Sequence, residues 1–415
     1  MKKAQPHILF LSYDGMTDPL GQSQVIPYLA GLTRFGYRFT ILSFDKPEKY
    51  ALHKNEVENQ IADFPITWKS ITYHKNPPVL SGIYDLMLMK KFIRKAQKNE
   101  PFDMVHARTG IPALAALWMK KKFGTPFLND IRGFWADERI DGGMWHMGNP
   151  VYKVLYDYFK SKEKECIEQA DFNNCLTGSA QKEILSWKNI KGQPRPVSVI
   201  SCSADVALFD PANIDPAIRN NFLHQLHINE SDFIISYLGS IGGWYLTKEM
   251  MAFCKVLQDE IPNTVFLFIS PGRHPEIREA AKAAGILESS IKIISARRKE
   301  VPVLLSLSSY SLFFIKPCYS KMASSPTKHG EIMAMGIPVI TNAGVGDVKE
   351  IVLQNEAGYV LESLNGDEYR QVAEKLKDPN PFSAEKIRAA ALRIYSLQSA
   401  IEAYHKVYRA ILPGT

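Results

Sequence analysis

One short stretch, residues 324–340 (SSPTKHGEIMAMGIPVI), combines a helix start with positive charge. Ser325 is a favourable N-cap residue, Pro326 suits the first helical position, and Lys328 then falls in the first turn. A helix N-terminus carries partial positive charge, so a cation there is unfavourable unless an anion accompanies it. Together with Lys321 just upstream, the free N–H groups of this helix start predict a bound anion, most simply a pyrophosphate.

The same helix offers further groups for a nucleotide. Ser325 and Thr327 lie at the helix start, where the phosphates are expected, and Lys328 is expected to stabilise the leaving diphosphate. Glu331, one turn further on, is placed to accept both hydroxyl groups of a ribose. The alternative is an exposed Lys328–Glu331 pair at i,i+3, which would contribute only about a few tenths of a kcal/mol.

A glycine-rich turn, YLGSIGGWYLTKEM, follows a predicted strand in the same half of the chain. Gly239, Gly242 and Gly243 would let a phosphate or a base edge approach the backbone closely. A tight turn covered by Trp244 is the alternative interpretation. The end of the next predicted strand, SPGRHPE, places Arg273 on the same side of the sheet.

A second glycine-containing loop, NAGVGDVKEI, repeats the arrangement of the opening stretch. Gly344 and Gly346 follow a predicted strand and precede a helix from about Val348. Two helix N-termini directed at one ligand would be a stronger signal than either alone.

In the first half of the chain, the candidate residues are less specific. Gly21 and Gln22 lie in a turn whose backbone N–H groups would suit a phosphate or a sugar hydroxyl, although a plain turn fits equally well. His106 and Arg108 end a predicted strand and are candidates for orienting a donor sugar. A histidine satisfied within the core is the alternative for His106.

The segment NDIRGFWADERIDGGMW is dense in polar and aromatic side chains, which suit the hydroxyls and ring faces of carbohydrate. The alternative is a solvated loop held by salt bridges. The residues expected to shape the acceptor side are Asp130, Arg132, Trp135, Asp137 and Glu138.

The elements that must position these residues are short strands alternating with longer helical patterns. The first series of predicted strands is 7–13, 38–44, 66–73, 103–107, 126–131, 172–177 and 197–201. The second series is 233–239, 264–270, 291–295, 311–315, 338–341 and 358–361. Such alternation predicts parallel sheets covered by helices on both faces, with ligands bound beyond the carboxyl ends of the strands.

The whole chain of 415 residues is too long for one ordinary core. We predict an α/β fold of two doubly wound, Rossmann-like domains facing each other across a cleft. The boundary is expected within the turn-rich segment 203–231, which gives domains at 1–205 and 206–384.

Composition and charge exclude several classes of protein. With 46% hydrophobic and 22% charged residues the chain is globular, and a net charge of +7 permits phosphates or an anionic membrane surface without requiring nucleic acid. Five dispersed cysteines predict neither a disulfide framework nor a metal site. The first apolar run is too short for a signal peptide, so we expect a cytoplasmic protein.

The quoted motifs resemble the glycosyltransferases of family four, which have the GT-B fold and retain anomeric configuration. HGEIMAMGIPVITNAGVGDVKEIV is similar to the donor-site pattern of that family, VSVISCSADVALF to its interdomain segment, and DMVHAR to a strand of its first domain. The resemblance implies a nucleotide-sugar donor bound by the second domain and an acceptor bound by the first. It also implies that no metal is needed, and that helices at about 385–415 pack back onto the first domain.

The sequence departs from the family pattern at three places. Ala323 stands where the family has the first of two glutamates, of which Glu331 matches the second. Ser240 and Tyr245 replace an Arg…Lys phosphate pair, a role that Lys321, Lys328 or Arg273 would have to take. Arg108 stands where many members have a second histidine.

The resemblance therefore predicts a retaining transferase that moves a sugar from a nucleoside-diphosphate sugar to a glycan or lipid-linked acceptor, in cell-surface polysaccharide or glycoconjugate assembly. Two alternatives stay open: a nucleotide-sugar epimerase on the same fold, and a non-catalytic nucleotide-sugar-binding protein. No nucleic acid partner is expected.

A basic amphipathic stretch, residues 81–98, bears on the acceptor. Ile83, Leu86, Met87, Phe92 and Ile93 alternate there with lysines and arginines. The helix could rest on the anionic inner face of a membrane, which would suit a lipid-linked acceptor. The alternative is that it buries its apolar stripe against its own domain.

Overall fold

The computed structural model describes residues 5–77, 79–188, 190 and 196–413. The chain divides into two compact units, of which the first comprises Met1–Ser201 with Leu397–Thr415 and the second Cys202–Ser396. Each unit is an α/β structure built on a parallel sheet.

The sheet of the first unit has seven strands in the order β3-β2-β1-β4-β5-β6-β7. These strands are β1 His7–Leu11, β2 Arg38–Asp45, β3 Ile66–Thr72, β4 Met104–Arg108, β5 Phe127–Ile131, β6 Phe172–Cys175 and β7 Val197–Val199. The first helices are α1 Pro19–Gln24, α2 Ile26–Thr33, α3 Pro47–Ile61, α4 Leu80–Asn99, α5 Ile111–Phe123, α6 Trp135–Asp141, α7 Pro150–Gln169 and α8 Gly178–Ser186.

The sheet of the second unit has six strands in the order β10-β9-β8-β11-β12-β13. These strands are β8 Phe233–Leu238, β9 Thr264–Ile269, β10 Ile291–Ile294, β11 Tyr310–Phe313, β12 Val339–Asn342 and β13 Gly358–Leu361. The helices are α9 Pro216–Leu226, α10 Thr247–Glu260, α11 His274–Ala283, α12 Val301–Leu305, α13 Thr327–Ala334, α14 Val348–Gln354, α15 Gly366–Lys375 and α16 Ala384–Tyr395. All the strands of both sheets pair in parallel, which confirms the predicted fold class.

The cores lie on both faces of these sheets because successive strand residues point in opposite directions. In β1, Ile8 and Phe10 pack in one apolar cluster of the first unit, whereas Leu9 and Leu11 pack in the other. Strands buried on two faces read as continuous apolar runs, which explains why the sequence predicts them well.

The last two helices belong to different units. Helix α16 packs on α13 so closely that a Cβ on Gly330 would lie 2.8 Å from Cγ of Tyr395. The final helix, α17 (Leu397–Ile411), instead completes a core of the first unit through Ile401 and Tyr408. The expectation that the whole segment 385–415 packs on the first unit is therefore wrong for the residues up to Ser396.

No helix within the described ranges combines the length and the apolarity that crossing a lipid bilayer requires.

Candidate functional site

The strand order of the second sheet reverses between β8 and β11, where α/β proteins place their ligand sites. The loop at 239–246, which follows β8, runs beside the segment that follows β11. Leu246 N–H donates to the Phe314 carbonyl at 3.0 Å, and Lys316 N–H donates to the Trp244 carbonyl at 2.8 Å. These bonds bring the glycine-rich loop next to the lysine-containing segment that the sequence singles out.

Lys328 is the central charged residue of this region. Its side chain is buried, and its ammonium lies 3.8 Å from the ring centroid of Tyr245 and 4.4 Å from that of Tyr237. Lys328 forms no ion pair with a carboxylate in the described part of the chain. Burial lowers its pKa to about 7, against an opposing influence of Glu331. A buried cation held by aromatic side chains rather than by a carboxylate is poised to accept an anion.

Two glycines of the loop make room for cationic side chains. A Cβ on Gly239, whose φ is +114°, would lie 2.9 Å from the Lys328 Nζ. A Cβ on Gly242, at φ +76°, would lie 2.3 Å from Nη1 of Arg273, which donates to the Ile241 carbonyl at 3.1 Å. Gly243 also has a positive φ, +61°, but a Cβ there would meet open space.

Lys321 lies in a short 3-10 helix, Tyr319–Ala323, ahead of α13. Its ammonium is 3.8 Å from the ring centroid of Trp244, and its carbonyl accepts the N–H of Gly346 at 2.9 Å. The structure thus brings the Gly344–Gly346 loop to Lys321, but the Gly346 N–H is occupied by protein. The Gly346 N–H is therefore not available to a ligand, whereas the prediction of a second helix start directed at the same ligand concerns α14, which begins two residues later at Val348, and stays a prediction.

The start of α13 differs by one residue from the prediction. Pro326 is the N-cap, without a capping side chain, and the helix begins at Thr327. Ser325 does not cap the helix, because its hydroxyl accepts the backbone N–H of Cys202 at 3.3 Å. The N–H groups of Thr327 and Lys328 precede the first intrahelical bond, so α13 still presents donors beside the Lys328 ammonium.

Glu331 has a partner that the sequence did not indicate. Its carboxylate Oε1 lies 2.6 Å from Nη1 of Arg298, a half-exposed residue whose guanidinium also covers the ring of Phe209 at 4.8 Å. Glu331 itself is 5% exposed. The alternative of an exposed Lys328–Glu331 pair is therefore wrong.

The back of α13 is fixed by a buried histidine. His329 Nδ1 lies 2.9 Å from the Tyr395 hydroxyl, which belongs to α16. Burial lowers the pKa of His329 to about 3, so this imidazole is neutral at physiological pH. The contact holds the helix that carries Lys328.

In the first unit, His106 is fully enclosed in the middle of β4. Its Nδ1 lies 2.7 Å from the Tyr408 hydroxyl, and its Nε2 lies 3.3 Å from Asp130 Oδ2. Burial lowers the pKa of His106, with Asp130 acting in the opposite direction. His106 is therefore enclosed by core residues, with Nδ1 hydrogen-bonded to Tyr408 and Nε2 next to a carboxylate without a hydrogen bond to it.

Asp130 joins His106 to a wider buried network. Asn174 Nδ2 donates to Asp130 Oδ1 at 2.6 Å, and the Tyr404 hydroxyl donates to Oδ2 at 3.2 Å. Burial would raise the pKa of the Asp130 carboxyl, but Arg132 and His106 outweigh it and hold that pKa well below its usual range. Asp130 and Arg132 are therefore held among their own neighbours, and α17 supplies one wall of the network through Tyr404.

Arg108 ends β4 beside the loop that follows β1. Its Nε donates to the Asp14 carboxylate at 3.1 Å, and its side chain is buried although Asp14 is half exposed. Unlike His106, Arg108 thus contacts a group that reaches the surface.

Gly21 and Gln22 do not form the free turn that the sequence suggested. Both lie inside α1, where the Gln22 N–H donates to the Asp18 carbonyl at 3.2 Å. A Cβ on Gly21 would lie 2.4 Å from the Gly15 carbonyl oxygen. The prediction of free N–H groups is wrong at Gln22, and the close approach of two backbones explains the glycine at 21.

The remaining acceptor-side candidates lie on α6 and fasten it to α7. The Trp135 ring centroid lies 4.5 Å from that of Phe159 on α7, and Asp137 Oδ2 accepts a hydrogen bond from Lys160 of α7 at 2.8 Å. Glu138 lies in the same first turn of α6. The Lys160–Asp137 salt bridge agrees with the alternative interpretation, but the segment is a helix with Asp137 buried and not a solvated loop.

Residues 219–393 match the family model of the group 1 glycosyl transferases. The second unit is a group 1 glycosyl transferase domain. This unit contains Lys328 and the glycine-rich loops. The family match confirms the resemblance inferred from the donor-site motif. The protein that contains this domain is a glycosyltransferase.

Solved structures share the fold of this glycosyltransferase over nearly its whole length. A sucrose-phosphate synthase from Thermosynechococcus elongatus matches with a TM-score of 0.75 at 13% identity, covering 99% of this chain and 100% of that one. A glycosyltransferase from Rickettsia africae matches with a TM-score of 0.72 at 16% identity, covering 99% and 100%.

A third structure carries a ligand. Anabaena HepE in complex with UDP-glucose matches the glycosyltransferase with a TM-score of 0.69 at 14% identity, covering 97% of this chain and 99% of that one. At these identities the likeness shows the fold. No curated protein matches the sequence.

Proposed function

We propose that this glycosyltransferase moves a sugar, with retention of anomeric configuration, from a nucleoside-diphosphate sugar to a glycan or lipid-linked acceptor. The observation that carries the proposal is the buried Lys328 ammonium, which has aromatic rings around it but no carboxylate partner among the described residues. A diphosphate would supply the missing negative charge.

The chemistry follows from where charge develops. As the glycosyl–phosphate bond breaks, negative charge accumulates on the leaving diphosphate while the sugar becomes oxocarbenium-like. The Lys328 ammonium and the N–H groups at the start of α13 are fixed before the reaction, and preorganised donors of this kind supply most of the rate enhancement in many enzymes. Attack by the acceptor on the same face, with the leaving phosphate as base, would give retention.

Other groups of the second unit complete the proposed donor site. Glu331, oriented by Arg298, would accept the ribose hydroxyls. Gly239 and Gly242 would let the phosphates approach beside Lys328 and Arg273. We propose that these cations and N–H groups suffice to neutralise the diphosphate without a metal ion.

In the first unit, we assign the contact with the donor sugar to Arg108. His106 is enclosed by Tyr408 and Asp130, so we assign it the role of fixing the end of β4 rather than touching substrate. We place the acceptor on this unit, in keeping with the family pattern.

Two observations support the donor class and the cellular setting. HepE, which shares the fold, was solved with UDP-glucose. The five cysteines of the chain are free thiols, which fits the reducing cytoplasm. We propose cytoplasmic assembly of a cell-surface polysaccharide or glycoconjugate as the setting.

A ligand screen followed by a product assay tests the proposal. Thermal unfolding is measured with nucleoside diphosphates and with their sugars, and one nucleotide series should raise Tm. The matching nucleotide-sugar, incubated with glycan and lipid-linked acceptors, should release free nucleoside diphosphate. An isomeric nucleotide-sugar without release would identify an epimerase, and binding without turnover a non-catalytic protein. The absence of any nucleotide effect would remove the donor assignment.

A further inference from the structure

Helix α4 is two-sided along its whole length. Ser81, Asp85, Met89 and Ile93, spaced four residues apart, are buried against the first unit. The opposite face is exposed from Leu80 to Lys98. Its side chains are apolar in the N-terminal half of the helix and cationic in the C-terminal half.

The N-terminal half of this exposed face is apolar. Leu80, Ile83, Tyr84 and Met87 are 62%, 50%, 47% and 55% exposed, and their spacing at i, i+3, i+4 and i+7 places them side by side. Single exposed apolar residues are ordinary, whereas an adjacent group marks an interaction site. The sequence predicted a stripe that included Ile93, but that residue is fully buried in the core.

The C-terminal half of the same face is cationic. Lys91, Arg94, Lys95 and Lys98 are exposed, and none of them forms an ion pair with a carboxylate in the described ranges. Lys120, on the neighbouring helix α5, does have a carboxylate partner, since its ammonium lies 2.7 Å from Asp171.

A neighbouring aromatic ring adds two cations to this half. Lys90 and Lys122 lie 5.6 Å and 5.4 Å from the ring centroid of Trp118, and the Arg94 guanidinium lies 5.0 Å from it. The positive charge therefore extends from α4 to the last turn of α5, again without a carboxylate partner for Lys90 or Lys122 in the part of the chain described.

We propose that this face of α4 docks the protein on an anionic phospholipid bilayer. Leu80 to Met87 would enter the boundary between headgroups and acyl chains, and Lys91 to Lys98 would rest on the anionic headgroups. A bilayer surface offers apolar and anionic groups together over the helix length of roughly 30 Å. The surface lies wholly within the first unit, and the inference does not depend on the proposed donor or acceptor.

A second copy of the chain is a poorer partner for the same face. Two such faces aligned in parallel would bring cations onto cations. Aligned in opposite directions, they would bury those cations against apolar side chains, which costs free energy without a compensating anion.

Sedimentation with vesicles tests the inference on the full-length protein. The protein should sediment with vesicles of equal parts phosphatidylcholine and phosphatidylglycerol, and not with phosphatidylcholine alone. Lys91→Glu/Lys95→Glu and Ile83→Glu/Met87→Glu should each lower the partition coefficient by about tenfold or more. Raised salt should weaken binding of the wild-type protein because it screens the cations.

Matched variants in the second unit control for net charge and exposed apolar area. Lys282→Glu/Lys299→Glu changes net charge equally, and Leu287→Glu alters a residue that is 60% exposed. Both should bind vesicles like the wild type. Failure of the wild type to sediment with anionic vesicles, or full binding by either α4 variant, would overturn the inference. So would self-association in solution that Ile83→Glu/Met87→Glu abolishes, because the face would then be a dimer interface. Nucleotide binding, measured on the same samples, reports the proposed function separately.

Discussion

The ammonium of Lys328 lies 3.8 Å from the ring centroid of Tyr245, over the face of the ring. Cation–π attraction offsets part of the cost of burying a charge, but it does not replace a counter-ion. The chain therefore keeps an uncompensated cation at the edge of its second sheet, which is unfavourable for the fold and favourable for an incoming anion.

Lys328→Met should stabilise the protein while abolishing nucleotide binding. The folded-state pKa of Lys328 is lowered to about 7 from its ordinary value of 10.5, so the folded state carries the cost of the buried charge below pH 7. As pH rises from about 7 to 10.5, the unfolded chain holds a proton that the folded chain has released, and the wild type gains stability. Denaturation at about pH 6 should show the variant more stable by on the order of a few kcal/mol, with the gap closing toward about pH 10. A variant less stable at the lower pH contradicts this.

Binding of a nucleoside diphosphate should take up protons. The anion would raise the Lys328 pKa from about 7, so that binding at about pH 8 is accompanied by uptake of up to about one proton. Isothermal titration in buffers of different ionisation enthalpy measures this uptake. Lys328→Arg, which stays charged, should bind without it. Equal proton uptake by the wild type and Lys328→Arg would assign the effect to another group.

Gly239→Ala should impair nucleotide binding far more than Gly243→Ala. Both residues have positive φ, so both variants carry backbone strain. Only the Cβ at 239 would lie within 2.9 Å of the Lys328 Nζ. We expect the dissociation constant to rise about tenfold or more for Gly239→Ala, as for loss of a charge-assisted bond, and to change little for Gly243→Ala. Equal effects would mean that strain, rather than room for Lys328, explains the glycine.

Glu331 should discriminate ribose from 2′-deoxyribose. If its carboxylate accepts the ribose hydroxyls, the wild type should bind a nucleoside diphosphate about tenfold more tightly than its 2′-deoxy form. Glu331→Gln should narrow this ratio, and Arg298→Ala should narrow it less, because Arg298 only orients the carboxylate. Glu350→Gln, an exposed position on α14, is the control. An unchanged ratio in Glu331→Gln would place the ribose elsewhere.

Tyr408→Phe should cost stability and leave turnover intact. The change removes the hydroxyl 2.7 Å from His106 Nδ1 and leaves a buried nitrogen unpaired, at about 1–3 kcal/mol. Thermal unfolding measures the loss, with Tyr158→Phe, an exposed tyrosine, as the control. A fall in kcat at unchanged Tm would instead show that His106 acts on the substrate.

The sequence predicts the sheets well and the site only in part. Every strand of both sheets is predictable to within a few residues because most are continuous apolar runs buried on two faces. Lys328 and Gly239 can be singled out from the sequence, because a cation at a predicted helix start and a glycine after a predicted strand are both recognisable from neighbouring residues. Arg298 leaves none, since it approaches Glu331 from a loop 33 residues away. Tyr237 looks like an ordinary strand residue, and only the fold shows that its ring faces an ammonium.

Two errors have a common cause. Ser325 has the sequence signature of a helix cap, but its hydroxyl is taken by the Cys202 amide, 123 residues distant. The sequence around Gly21 resembles a ligand-binding turn, but glycine is needed there because the Gly15 backbone passes next to it and leaves no room for a Cβ. In both cases a tertiary partner decides what a local pattern leaves open.

The placement of α17 has a consequence for biosynthesis. Ile401, Tyr404 and Tyr408 fill the same core as Ile8 and Phe10 of the first strand, so the first unit is assembled from the two ends of the chain. On the ribosome, the second unit has its whole sequence available before the first does. Helices α2 and α3 cover part of the same face, so we expect residues 1–201 to keep only the site of α17 uncovered until the segment 397–411 emerges. Chaperones that bind exposed apolar surface should bind the nascent chain during that interval.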